Sequence, residues 1–333
     1  MKILLDQNKP FFKANLHCHS TQSDGIHTVE ELKRAYMAQG YSVIAFSDHE
    51  HLIDNSRLTD ENFLAITACE LAIKEFPLQS TLKNQAMRVC HLNLYALDAH
   101  NDLTPCYSVV ADHYLNDDIK RLIRTDGDYP REYSAKGINE IVRIAKERGF
   151  LVSYNHPTWS LENAVDYLAY ENLFSVEIYN HSCVRAGRCD DEHVLDDMLR
   201  DGKRIFCTAA DDNHGADDRF GGWVQINAER LEYGTIMNAL QAGNFYASTG
   251  PQIFSLTLDQ DEVEIRTSPC AKISLSTFGR RAQAVYAKQG ETLCVARFKV
   301  LKADKYFRLR VTDERGESAY TQAYFLDEQK NVN

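Results

Sequence analysis

The sequence predicts an α/β unit followed by a small all-β unit. Between residues 11 and 250 short apolar runs alternate with amphipathic stretches. That order builds a parallel sheet covered by helices, closed or open. Beyond Pro251 the runs are alternating, β-branched and aromatic, with turn residues between them and no convincing helical stretch. Neither G-x-G-x-x-G nor G-x-x-x-x-G-K-[ST] occurs, so a nucleotide-cradling loop has no support. His, Asp and Glu stand at the ends of the apolar runs instead.

Taken in order, residues 11–19 read as a strand and the stretch after Thr28 as a helix. Thr28 supplies the N-cap, Glu31 completes a capping box and Gly40 stops the helix. Residues 41–48, 61–70 and 87–97 read as strands. Residues 137–149 read as a helix, with apolar positions 138, 141, 142 and 145 on one face and Gly149 closing it. Strands follow at 150–157, 173–180 and 204–212, the last two separated by a helix near 192–202. A short strand at 222–228 and a helix at 231–243 complete the first unit, residues 1–250. A Gly-Pro break lies at 250–251. Residues 251–333 read as a β-sandwich-like domain, with strands at 254–260, 262–268 and 271–279 and within 306–326.

Residues 105–133 are an extra stretch between strand and helix, with a helical core at 118–124. They are a candidate lid over the mouth of a barrel, or else a plain surface excursion. Asp126-Gly127-Asp128 has part of a calcium-loop pattern without its remaining ligands.

Composition narrows the function. The 333 residues are 44% hydrophobic and 26% charged, with a formal net charge of −11 from 37 basic and 48 acidic residues. Such a charge repels long nucleic acid unless a local basic patch reverses the field. No apolar run approaches the roughly 18–20 residues of a membrane-spanning helix. The first residues lack the apolar core of a signal peptide. The nine cysteines form no C-x-x-C pair and fit reduced, mostly buried thiols in a cytoplasmic protein.

Polar groups cluster at six strand ends. His17 and His19 flank Cys18; alternate residues of a strand share a face, so the imidazoles point together, about 6–7 Å apart. Asp24-Gly25 puts a carboxylate on the following turn. Ser47-Asp48-His49-Glu50 follows the second strand abruptly, and Glu70 ends the third. His91 lies inside an apolar run, either as a satisfied core histidine or as an inward ligand. Tyr154-Asn155-His156-Pro157 and Asp211-Asp212-Asn213-His214 close later strands. In a closed barrel these ends meet at one mouth. So many carboxylates and imidazoles are costly to bury without cations, and divalent ions solve the problem. Mixed N/O ligation suits zinc, manganese or iron. Cys18, Cys69 and Cys90 adjoin candidate ligands, but period-2 geometry turns them away. Asp190, Asp191 and His193 read as a solvated face.

The ordered segments HCHSTQSDG, SDHE, CE, CHL, YNHP and ADDNH resemble the PHP (polymerase and histidinol phosphatase) family over roughly residues 11–250. The chain looks like its free-standing metal-dependent phosphoesterases, some of which carry a C-terminal β domain. The resemblance implies a distorted (β/α)7 barrel with two or three divalent ions. It implies that His17, His19, Glu70 and Asp212 hold the first ion. Glu70 would bridge to a second, held also by His91 and His156, and Asp24, His49 and His214 would hold a third. The D-x-H spacing favours Asp212 over Asp211.

The implied activity is hydrolysis of a phosphomonoester, nucleotide or small phosphodiester by water activated between ions, with Glu70, Asp212 and His214 as the catalytic set. Arg185, Arg188 and His181 follow the strand end at 177–180 and are the candidate contacts to a small phosphorylated substrate. One alternative is an exonuclease on short oligonucleotides. Another is an amidohydrolase-type barrel bridged by a modified lysine, for which no strand-end lysine offers itself. A third is a metal- or partner-binding protein without turnover.

Overall fold

The structure, a computed structural model, describes residues 1–76 and 87–327. Its fold is mixed α/β with large sheets. Seven strands stand side by side in the order Phe206–Ala210, Ser175–Asn180, Phe150–Tyr154, Val89–Ala96, Leu64–Lys74, Val43–Phe46 and Phe11–Cys18. Among the described residues no regular ladder joins Phe206–Ala210 to Phe11–Cys18. These two strands still meet just past their ends, where Cys18 and Asn213 form a parallel bridge. Asp212 N donates to His17 O at 3.0 Å, and His19 N donates to Asn213 O at 3.2 Å.

The sequence predicts a parallel sheet, and the structure corrects this to a mixed one. Val89–Ala96 runs antiparallel to both neighbours. It follows Leu64–Lys74 as the return arm of a hairpin, with Glu75 N bonded to Arg88 O at 3.1 Å. Antiparallel pairing sets the N-terminal end of Val89–Ala96 beside the C-terminal end of Leu64–Lys74. The strand Leu64–Lys74 also extends four residues past the predicted end at Glu70.

The helices follow their sequence signals. Thr28 Oγ1 accepts from Glu31 N at 3.2 Å and Glu31 Oε2 accepts from Thr28 N at 2.9 Å, capping Val29–Met37. Ala135–Glu147 buries Ile138, Ile141, Val142 and Ala145, the predicted face. Glu192–Arg200 buries Val194, Leu195, Met198 and Leu199 against the sheet. No helix among the described residues is long and apolar enough to cross a membrane.

Residues 105–133 differ from expectation. Its helical parts are a 3-10 turn at Asp112–Tyr114 and a single α-helical turn at Asp117–Lys120, and Arg124–Thr125 pairs with Leu103–Thr104. Arg131 ties the segment to the sheet: its guanidinium meets Glu50 Oε2 at 2.6 Å and donates to Ala72 O at 2.9 Å.

The sheet continues from Phe11–Cys18 through Trp223–Asn227 and Phe245–Ser248 into Ser318–Thr321, Tyr306–Thr312, Lys272–Thr277 and Ala282–Tyr286. A four-stranded sheet of Lys2–Leu5, Ile253–Asp259, Glu262–Cys270 and Leu293–Lys299 shares an apolar core with it, including Leu256, Ile265, Phe298, Ile273 and Leu309. The sequence reading passes over Ala282–Tyr286 and Leu293–Lys299. Both are edge strands with mostly exposed positions, and Leu293–Lys299 carries Arg297 and Lys299, charges that keep a free edge from pairing. Arg308 joins this region to the helix Glu192–Arg200, reaching Asp196 at 2.7 Å and Glu192 at 2.8 Å.

Candidate metal centre

The strand ends bring together all nine residues implied as ligands. His17, His19, Glu70 and Asp212 form one group whose ligand atoms lie within 4.8 Å of one another; Glu70, His91 and His156 form a second, and His19, Asp24, His49 and His214 a third. Glu70 belongs to two of them. Its Oε1 lies 3.0 Å from His91 Nδ1 and 3.3 Å from both His17 Nε2 and His156 Nε2, while Oε2 lies 3.2 Å from His49 Nδ1. One carboxylate thus faces imidazoles from four segments.

The reversed strand explains His91. In the other strands the polar groups lie at or just past the C-terminal end, except Glu70, which stands four residues before the end of Leu64–Lys74. His91 is the third residue of its strand and pairs with Ala72. Because the strand runs backwards, its N-terminal end reaches the same mouth. Of the two sequence readings, the inward one matches the geometry.

The backbone is bent at these positions. Glu50, His156 and Asp212 have φ of 68°, 27° and 53°. L-residues enter the left-handed region at a cost, and such outliers gather at functional sites. Gly25 allows the Asp24 turn to lie on the first strand: a Cβ there would sit 2.6 Å from His19 C and O.

The donor set fits divalent cations. His17 Nε2 and His19 Nε2 face each other at 3.1 Å, with Asp212 Oδ1 at 3.2 Å and 3.1 Å from them. His19 Nδ1 and Asp212 Oδ1 are buried and complete no hydrogen bond. The two nitrogens need either a proton between them or a cation that both address. Burial alone would raise the Glu70 carboxyl, yet His91 and His17 hold it well below the usual range. Burial likewise opposes ionisation of Asp212, and His17 with its neighbours overcomes it. Burial and the charge of His19 push His49 well below an ordinary imidazole. His214 is raised to about 9 against its burial, by the Asp24 hydrogen bond and Asp212. Neighbouring imidazoles are therefore pulled in opposite directions, as expected where charge balance needs a cation.

Several groups outside the nine hold this set in place; the sequence reading names Asp48, Asn155 and Asp211 among the strand-end clusters and passes over Glu177. Glu177 Oε1 takes His17 Nδ1 at 3.1 Å, which turns Nε2 toward the cluster. Its Oε2 accepts from His156 N at 3.2 Å and Asn180 Nδ2 at 2.8 Å. A lone acid between Val176 and Ile178 in an apolar strand was the available signal. Asn155 Nδ2 donates to Glu70 Oε1 at 2.8 Å. Asp48 accepts from Ser20 N and Oγ, both at 2.8 Å, and so fixes the loop ahead of Asp24. Asp211 turns away from the cluster and accepts from Tyr36 OH and from the backbone of Phe220, Gly221 and Gly222.

Other expectations need correction or gain nothing. Arg185 and Arg188 are exposed, and neither makes a hydrogen bond or ion pair with the cluster among the described residues. His181 is partly buried beside Tyr179 OH at 3.1 Å. Asp191 is not on a solvated face. It is 4% exposed and accepts from Thr158 N at 3.0 Å, bracing the loop after His156. A strand-end lysine does exist, because the longer strand ends at Lys74; its Nζ lies 3.5 Å from His113 Nε2. Asp126 pairs with Arg148, and Asp128 accepts from Val109 N, so this turn serves ordinary contacts. All nine cysteines are free, seven of them buried, and none joins the metal-competent groups among the described residues.

Fold and site define a mixed α/β protein with clustered His, Asp and Glu groups able to hold divalent ions. Solved structures similar to it are PHP-like metal-dependent phosphoesterases and an amidohydrolase. A two-domain protein from Bacteroides vulgatus, containing a predicted PHP-like metal-dependent phosphoesterase, shares 14% identity over 96% of each chain, with a TM-score of 0.43. An amidohydrolase from Chromobacterium violaceum shares 13% identity over 62% of this chain and 89% of its own, with a TM-score of 0.38. A protein from Bifidobacterium adolescentis, provisionally assigned as a metal-dependent phosphoesterase, shares 15% over the same shares of the two chains, with a TM-score of 0.34. No protein-family model and no curated protein sequence matches the chain. Similarity at this level transfers no residue roles.

Proposed function

We propose that this protein is a divalent-metal-dependent phosphoesterase acting on a small phosphorylated substrate. The carrying observation is the convergence of His17 Nε2, His19 Nε2, Glu70 and Asp212 on one point, with Glu70 shared by a second group. We read the seven strands as an incompletely laddered (β/α)7 barrel, supported by the two backbone bonds that bring its edges together.

His17, His19, Glu70 and Asp212 would hold one ion, and Glu70, His91 and His156 a second; Asp24, His49 and His214 complete a further set. Such ions polarise phosphoryl oxygens and lower the pKa of water at neutral pH. The protein contributes orientation. Glu177 holds the His17 tautomer and Asn155 holds Glu70, and outer partners of this kind keep ligands aimed. His214 lies at the open side, about one-third exposed, where it can hold or pass a proton, while Asp212 beside it is buried. The central position belongs to Glu70. Lys74 lies four residues further along the strand, which favours this reading over a lysine-bridged amidohydrolase.

The test is reconstitution with Zn²⁺, Mn²⁺ or Fe²⁺ and a screen of phosphomonoesters, cyclic phosphodiesters, mononucleotides and dinucleotides. Turnover of a phosphomonoester or a small diester is expected. Glu70→Gln should lose at least one equivalent of bound metal and nearly all turnover. Full metal content with intact turnover in that variant would remove Glu70 from the centre.

A further inference from the structure

Trp159 is the large aromatic that the mouth leaves open. It is 41% exposed, yet its ring lies 5.0 Å from the His156 ring and 5.4 Å from the His91 ring. It packs at 75° to the first and 45° to the second, against two residues of the metal-competent set.

The loop carrying Trp159 is braced on both sides. Thr158 N donates to Asp191 at 3.0 Å, and Val89 N donates to Ser160 O at 3.2 Å. Glu162 then accepts from Tyr133 OH at 2.7 Å, Tyr154 OH at 2.6 Å and Tyr170 OH. A rigid aromatic wall beside a polar cluster is the layout of a ligand pocket. A flat ring covers such a surface best, by stacking or edge contact, with little loss of side-chain freedom.

Building on the phosphoesterase reading, we infer that Trp159 is a specificity-determining platform for a flat aromatic group on the leaving side of the substrate. The phosphoryl group would sit at the cluster while the ring stacks on the indole.

The metal-loaded full chain and its Trp159→Ala and Trp159→Phe variants would be assayed with 1-naphthyl phosphate, adenosine 5′-monophosphate and glycerol 2-phosphate. Aromatic stacking removed by alanine is worth about a 10- to 100-fold change. Trp159→Ala should therefore raise KM by about that factor for one or both ring-bearing substrates. The two ring substrates tell a ring on the ester oxygen from one beyond a sugar. Glycerol 2-phosphate should change less than about twofold, and Trp159→Phe should recover most of the loss. Equal losses on all three with reduced metal content would overturn the platform, because Trp159 would then only shield His91 and His156. Unchanged KM on all three would overturn it too. If the wild type hydrolyses none of the three, the phosphoesterase reading fails separately only when the wider screen of diesters and nucleotides is negative too. The platform is then decided by fluorescence. Trp159 and Trp223 are the two tryptophans, so Trp223→Phe leaves one reporter. Saturable quenching by adenosine or 1-naphthol, absent in the Trp159→Ala variant, supports it; no saturable quenching overturns it.

Discussion

Arg131→Met asks whether residues 105–133 are built into the mouth or lie on the surface. The Arg131 side chain is 4% exposed and that of Glu50 is not exposed at all. Arg131 gives Glu50 two contacts, Nη2 to Oε2 at 2.6 Å and Nη1 to Oε1 at 2.9 Å, and also donates to the carbonyls of Ala72 and Cys106, each at 2.9 Å. Methionine replaces the volume but strands a carboxylate away from water. Removing one member of a buried pair costs about 3–5 kcal/mol, a large share of the roughly 5–15 kcal/mol that holds a domain folded. Urea unfolding of the wild type and Arg131→Met should show a loss in that range. On a Glu50→Gln background the same substitution should cost much less, since no unpaired charge remains. A loss below about 1 kcal/mol, the scale of an exposed pair, with no coupling to Glu50, would refute the reasoning and leave the segment as a surface excursion.

Gly25→Ala should push the Asp24 turn off the first strand, because the new Cβ would lie 2.6 Å from His19 C and O and 2.8 Å from Ser20 N. Reduced metal binding with a lower unfolding midpoint is expected, and wild-type values for both would contradict that packing. Glu162 should make stability pH-dependent. Burial pushes its carboxyl from 4.5 up to about 7 against the pull of three tyrosine hydroxyls. The folded state thus binds the proton more tightly than the unfolded chain. Its contribution is fully present below about pH 4.5 and is lost as pH rises toward 7, by on the order of 3 kcal/mol. Glu162→Gln should flatten that part of the urea-unfolding profile between pH 4.5 and 8; superimposable profiles would show that Glu162 does not titrate there.

Local rules determined much of this protein in advance. Capping at Thr28, the apolar face of Ala135–Glu147 and the period-2 separation of His17 and His19 from Cys18 depend on neighbours a few residues apart, and they are visible in the chain. The abrupt change from apolar strand to His, Asp or Glu marked each candidate ligand, because few other arrangements justify burying such groups. The reversal of Val89–Ala96 was decided elsewhere, by its pairing with Leu64–Lys74 on one side and with the sequence-distant Phe150–Tyr154 on the other, and it brings His91 to the mouth. The same holds for Glu177, Asn155 and Arg131, whose partners lie 160, 85 and 81 residues away. Periodicity reports which side of an element is apolar. Which carboxylate meets which imidazole depends on how the elements pack together, and only the tertiary structure supplies that.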